Sequence, residues 1–218
     1  MTEPLGDFFA SFSGGKDSTL ALYRALKAGG RARALLCMLH EGGQHSRSHG
    51  LPLRVLQRQA HLMGVPLYYK AASWEGYEQG FLQALKELKT RGIRHGVFGD
   101  IELQAHRDWV ERVCAQAGIT PHLPLWGQSR QSLLGEFFSA GFSALIVAVK
   151  DGVLEPQRFL GRRLSPSVLA QLQAQGVDAC GEQGEFHTLV LDGPIFSAPL
   201  EVAPRGHVLR NGYWFLRL

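Results

Sequence analysis

One turn constrains this chain more than any other stretch. Ser13-Gly14-Gly15-Lys16-Asp17-Ser18 sits between an apolar run and a helix-forming one. Phe8-Phe9-Ala10-Ser11-Phe12 reads as a buried strand, and Thr19 to Ala28 is rich in helix formers and stops at Gly29-Gly30. Strand, glycine turn and helix in that order aim unpaired backbone N–H groups and a helix N-terminus at an anion. Gly14 and Gly15 would let the backbone approach phosphate oxygens that a Cβ excludes, Lys16 would add a point charge, and Ser13, Ser18 and Thr19 would add hydroxyl donors. The common P-loop does not fit, because it puts Gly where this chain has Ala10 and Ser or Thr where it has Asp17.

An Asp inside a phosphate loop makes electrostatic sense if it holds a cation such as Mg²⁺, which makes Asp17 the metal candidate. Ser-Gly-Gly-Lys-Asp-Ser resembles the pyrophosphate loop of the N-type ATP pyrophosphatases. That resemblance implies cleavage of ATP between its α and β phosphates to activate a carboxylate or carbonyl oxygen. The bland alternative is a glycine turn before an ordinary helix; the strand–turn–helix context favours the phosphate loop.

The 218 residues suffice for one large domain or two small ones, and the 45% apolar content is that of a globular protein. No apolar run is long enough to span a membrane and no leader pattern opens the chain, so a cytoplasmic protein is expected. Cys37, Cys114 and Cys180 are odd in number and far apart, which argues against a disulfide framework or a Cys-based zinc site. The net charge of +4 comes from the half carrying the turn, with 15 basic and 11 acidic residues up to Gln128 against 8 and 8 beyond it. Such a surplus suits a nucleotide and is too small and interspersed to call for nucleic acid.

Ala34–Leu39 reads as a second strand, followed by the polar stretch from His40 to Gly50 with three histidines. Its spacing fits no common zinc pattern, so it is expected to cover nucleotide or substrate. Leu53–Met63 and Glu75–Lys89 read as helices, 65–70 and 95–101 as strands, and Gln104–Gln116 as a further helix. Gly99-Asp100 would share the carboxyl edge of the sheet with the turn, and Asp100 could equally cap the next helix. Arg107 and Glu111 are spaced for a surface ion pair. Pro121 to Gly127 breaks the periodicity and sets the expected boundary, giving domains 1–128 and 129–218. Beyond it come a helix at 132–140, a strand at 144–149, a Ser165-Pro166 helix start, and strands near 189–191 and 207–218.

Gly181-Glu182-Gln183-Gly184-Glu185-Phe186-His187-Thr188 gathers two carboxylates, an imidazole and a hydroxyl in a glycine-punctuated turn. It could orient an amine, take its protons or hold Mg²⁺, or be a surface turn with Thr188 starting a strand. With it, the chain resembles the diphthine–ammonia ligase family almost throughout. The match rests on the 13–18 turn; on Gly99-Asp100-Ile101 with His106-Arg107, Trp109, Glu111 and Val113-Cys114; on Pro124-Leu125-Trp126 and Gly161-Arg162; and on Gly181–Pro194. Phe186-His187-Thr188 stands where archaeal and eukaryotic members tend to have Tyr-Glu-Thr, which resembles a bacterial-type branch.

The resemblance implies a HUP-type, Rossmann-like α/β domain with a parallel five-stranded sheet, then a smaller α/β domain closing the cleft. It implies an AMP-forming carbon–nitrogen ligase using ATP, Mg²⁺, ammonia and a carboxylate on a protein side chain or a small metabolite, with a homodimer among its assemblies. Ser13, Gly14, Gly15, Lys16, Asp17 and Ser18, with Gly99 and Asp100, would bind the nucleotide. Lys16, Asp17, Glu182, Glu185 and His187 would be catalytic, and Arg107 and Thr188 would meet the substrate. The alternatives are a tRNA-modifying enzyme with the same loop and a nucleotide sensor without chemistry.

Overall fold

The computed structural model describes residues 5–218; residues 1–4, the start of the first expected domain, lie outside it. Five strands, β1 (Asp7–Ser11), β2 (Arg31–His40), β3 (Leu67–Ala72), β4 (His95–Val97) and β5 (Thr120–His122), form a parallel sheet in the order β3-β2-β1-β4-β5. The crossovers are α1 (Lys16–Lys27), α2 (Leu53–Leu62), α3 (Tyr77–Thr90) and α4 (Gln104–Ala117). The chain winds outward from β1 in one direction and returns to its other side at β4. A sheet that reverses there leaves a crevice beyond the carboxyl ends of the central strands.

The alternation along β2 shows how the sheet is covered. Leu35, Cys37 and Leu39 join the core on the α1/α2 side, whereas Ala34, Leu36 and Met38 join that on the α3/α4 side, as the two-residue period of a strand requires. On the α3/α4 side, Phe9 meets Phe98 edge to face at 5.9 Å. On the other side the core runs on into the second half of the chain. There α5 (Arg130–Ser139), β6 (Ser143–Lys150), α6 (Pro156–Phe159), α7 (Pro166–Gln173), β7 (Phe186–Asp192), β8 (His207–Arg210) and β9 (Tyr213–Leu216) build an antiparallel sheet ordered β7-β6-β9-β8. The Ser165 side chain accepts from Val168 N–H at 3.3 Å and Pro166 fills the first helical position, so α7 starts as its sequence requires.

Two local readings need correction. Pro121 lies inside β5, which pairs on one side only, and an edge strand tolerates the missing N–H. Asp100 caps no helix: Leu103 precedes α4, with no side-chain cap bond.

The two sheets are joined directly. Val190 N–H of β7 donates to the Gly14 carbonyl at 2.9 Å. Gln59 of α2, fully buried, donates to the Gly14 and Val190 carbonyls at 3.0 and 2.9 Å. Replacing Gln59→Leu keeps the volume and deletes both bonds, so it should cost about 1–3 kcal/mol. The check is the midpoint of urea unfolding, with the slope unchanged.

Candidate active site

The crevice is a cavity of about 630 Å³. Ser13, Asp17 and Ser18 line it from the turn, Gly99 and Asp100 from the segment after β4, and Glu182 and His187 from the second sheet. The loop after β2 contributes Ser46, Arg47, Ser48 and His49, and Tyr77 and His106 complete the wall.

The turn is held from within. Ser18 Oγ accepts from Ser13 N–H at 3.3 Å and donates to the Gly15 carbonyl at 3.2 Å. Thr19 N–H makes the first helical bond, to the Gly15 carbonyl. Lys16 N–H is taken by the Thr188 hydroxyl at 3.1 Å. Among the described residues, the Asp17 and Ser18 N–H groups find no protein acceptor, and both residues line the cavity. These are the helix-end donors an anion would meet.

Several residues serve other ends than the sequence suggests. Neither Gly14 nor Gly15 lines the cavity. A Cβ on Gly14 would lie 2.8 Å from Gln59 Oε1 and 2.9 Å from Leu51 Cδ1, and one on Gly15 2.3 Å from His49 Cε1. The two glycines thus make room for α2, the loop after β2 and β7. Gly99 likewise gives way to the α1 backbone, since its Cβ would meet Ser18 N at 2.8 Å.

Lys16 is buried, not presented to the cavity; its ammonium donates to Asp17 Oδ2 at 2.6 Å and to the Cys180 carbonyl at 2.5 Å. Burial opposes its charge, but Asp17, with Cys180 and Glu182 nearby, prevails and holds its pKa above the ordinary lysine value. Thr188 is buried as the partner of Lys16 N–H and does not line the cavity. Glu185 is buried too, accepting from Asp178 N–H at 3.3 Å and Gln183 N–H at 3.1 Å, which pins the turn bearing Glu182. Arg107 belongs to another cavity; it pairs with Glu111 at 2.7 Å and lies over the Trp126 ring at 5.1 Å.

Glu182 is the group with chemistry at hand. Burial, then the Asp17 carboxylate, push its carboxyl up to about 7, and its side chain has no protein partner among the described residues. Asp100 pairs with His106 Nδ1 at 3.3 Å, and that bond raises the His106 pKa. Arg47, His49 and Tyr77 carry no motif; the only sign of the first two was that their polar loop leaves the carboxyl end of a parallel strand.

His49 does more than cover the site. Its Nδ1 donates to the Thr188 carbonyl at 2.8 Å and its ring stacks on His187 at 4.6 Å, which in turn stacks on Tyr213 at 5.7 Å. Burial holds His49 near a pKa of about 4, and burial with the neighbouring His49 holds His187 well below its usual value. Both groups have folded pKa values below those of the unfolded chain. Their contribution is therefore full above pH 6.5 and is lost as pH falls towards about 4. Melting temperature should drop across that window, and a His187→Phe variant, which keeps a ring in the stack, should show a shallower drop.

The chain is similar in sequence to known proteins over nearly its whole length. The model of the diphthamide synthase N-terminal domain matches residues 7–121, and that of the diphthamide synthase C-terminal domain matches residues 129–217. A diphthine–ammonia ligase of Danio rerio is 31% identical over 209 residues, covering 84% of this chain and 81% of that protein. The Homo sapiens diphthine–ammonia ligase is 29% identical, over 88% of this chain and 81% of its own length. A solved structure described as a predicted subunit of tRNA methyltransferase from Methanocaldococcus jannaschii aligns with a TM-score of 0.46 at 16% identity, over 86% of this chain and 97% of that one. With both domain models matched in sequence order over nearly its whole length, the chain belongs to the diphthamide synthase family.

Proposed function

We propose that this protein amidates a carboxylate with ammonia at the expense of ATP, forming AMP and pyrophosphate, with 1–128 holding the nucleotide and 129–218 closing the site. One observation carries the reading. The N-terminus of α1 opens on the cavity two N–H groups without an acceptor among the described residues, together with the Ser13 hydroxyl, and Glu182 faces the same cavity from the turn before β7. The names of the relatives, diphthine–ammonia ligases, support the same chemistry.

When bound, ATP supplies the pyrophosphate that leaves as the acid is activated and the AMP that ammonia then displaces. The Asp17 and Ser18 N–H groups and the Ser13 hydroxyl would grip the phosphates and stabilise charge on the leaving pyrophosphate. Lys16 acts from beneath, fixing Asp17. Among the described residues no three His, Cys, Asp or Glu side chains converge on a metal position. Mg²⁺ commonly takes one or two carboxylates and fills its shell with water and phosphate oxygens, a pattern Asp17 fits. Glu182, its carboxyl pushed up to about 7, would take the proton that ammonium must lose before nitrogen can attack. Among the described residues no helix is long and apolar enough to cross a membrane, which is compatible with work in the cytoplasm.

Purified protein given α-labelled ATP, Mg²⁺, ammonium and extract fractions should release AMP and pyrophosphate in a fraction-dependent way. ADP as product, or ATP binding without AMP under any fraction, would defeat the ligase reading; the second result would favour a sensor. Asp17→Ala should bind ATP weakly and give no measurable AMP. Since Glu182 acts when ionised, kcat/KM should rise with pH through about 7. In Glu182→Gln that rising limb should vanish and the rate fall roughly 10²-fold or more, with ATP affinity retained.

A further inference from the structure

A second cavity, of about 1070 Å³, adjoins the nucleotide cavity; Arg47, Ser48, Gly184 and His187 line both. Its charge is lopsided. Arg47, Arg54, Arg210 and Arg217 face it, against the carboxylates of Glu41 and Glu75. Among the described residues none of these four arginines makes an ion pair with an Asp or Glu side chain, and Arg54 donates to the main-chain oxygen of Leu218. Arg47 marks the junction. Its Nη2 donates to the Ala72 carbonyl and its guanidinium lies 5.5 Å from the rings of both Trp74 and Tyr77. Its Nε is buried and has no hydrogen-bond partner among the described residues, while the residue lines both cavities. Trp74 is 75% exposed, an unusual state for so large an apolar surface unless something lies on it.

We propose that this second cavity receives the acid substrate, and that the acid is a small molecule with at least two anionic groups and a flat apolar portion. The assignment rests on the ligase reading above and names its substrate class. The carboxylate to be amidated points past Arg47 and His187 towards the nucleotide. The remaining anionic groups meet Arg210 and Arg217, and the apolar portion lies on Trp74. Arginine suits that role because its planar fork matches a carboxylate and its weak hydration makes it cheap to desolvate. The volume is that of a site for a small-molecule ligand.

The test is titration calorimetry of the protein with ATP, propionate, glutarate, citrate and benzene-1,3,5-tricarboxylate. The tricarboxylates should bind roughly tenfold or more tightly than propionate, an advantage that high salt erodes. In the Arg210→Ala, Arg217→Ala double variant, both sites being exposed, that advantage should shrink severalfold while ATP affinity stays unchanged. Trp74→Ala should weaken the aromatic tricarboxylate and leave citrate alone. Equal binding of all the acids by protein that binds ATP, or full discrimination in the double variant, would overturn the proposal. So would amidation confined to a carboxylate on a folded protein. Failure of wild-type protein to bind ATP would instead sink the ligase reading, and this inference with it.

Discussion

The structure depends on one junction, where a strand of the second sheet is bonded to the glycine turn of the first. Lys16 N–H goes to the Thr188 hydroxyl, Val190 N–H to the Gly14 carbonyl, and Gln59 ties that carbonyl to Val190. A buried backbone group without a partner costs about as much as a lost hydrogen bond, so each side of this contact needs the other. Because the first helical donor is spent on Thr188, the anion-facing donors are confined to Asp17 and Ser18. The junction therefore fixes which helix-end donors open on the cavity.

The same contact explains which parts of the molecule could be read from the sequence. Strand, turn and helix at 8–28 follow from local pattern, and so do the apolar runs of β2 and β6 and the Ser-Pro start of α7. The Gly181–Thr188 stretch was legible as chemistry, and it does reach the cavity through Glu182 and His187. What could not be read was the division of labour among neighbours. Gly14 and Gly15 look like phosphate glycines because their real neighbours, His49, Leu51 and Gln59, lie more than thirty residues away. Thr188 and Glu185 look like ligands, and only burial reveals them as supports. Pro121 looks like a strand breaker until β5 is seen at the sheet's edge.

Charge placement separates two kinds of acidic group in one cavity. Asp17 is ion-paired with Lys16 below it, through one carboxylate oxygen at 2.6 Å. Glu182 has burial and another carboxylate against it, so it holds a proton into the neutral range. The two acidic groups thus meet different surroundings within one cavity. His49 and His187, stacked on each other and both held well below the usual histidine pKa, line the same cavity and add little positive charge to it near neutrality.

The bond between Lys16 N–H and Thr188 spans 172 residues. During synthesis the turn at 13–18 leaves the ribosome early, yet the hydroxyl that completes it emerges near the end. Until then the side of Gly15 that meets β7 faces solvent, and only the bonds within the turn hold its geometry. A chain arrested before residue 182 carries the motif without the Lys16–Thr188 bond and without the wall that Glu182 and His187 give the cavity.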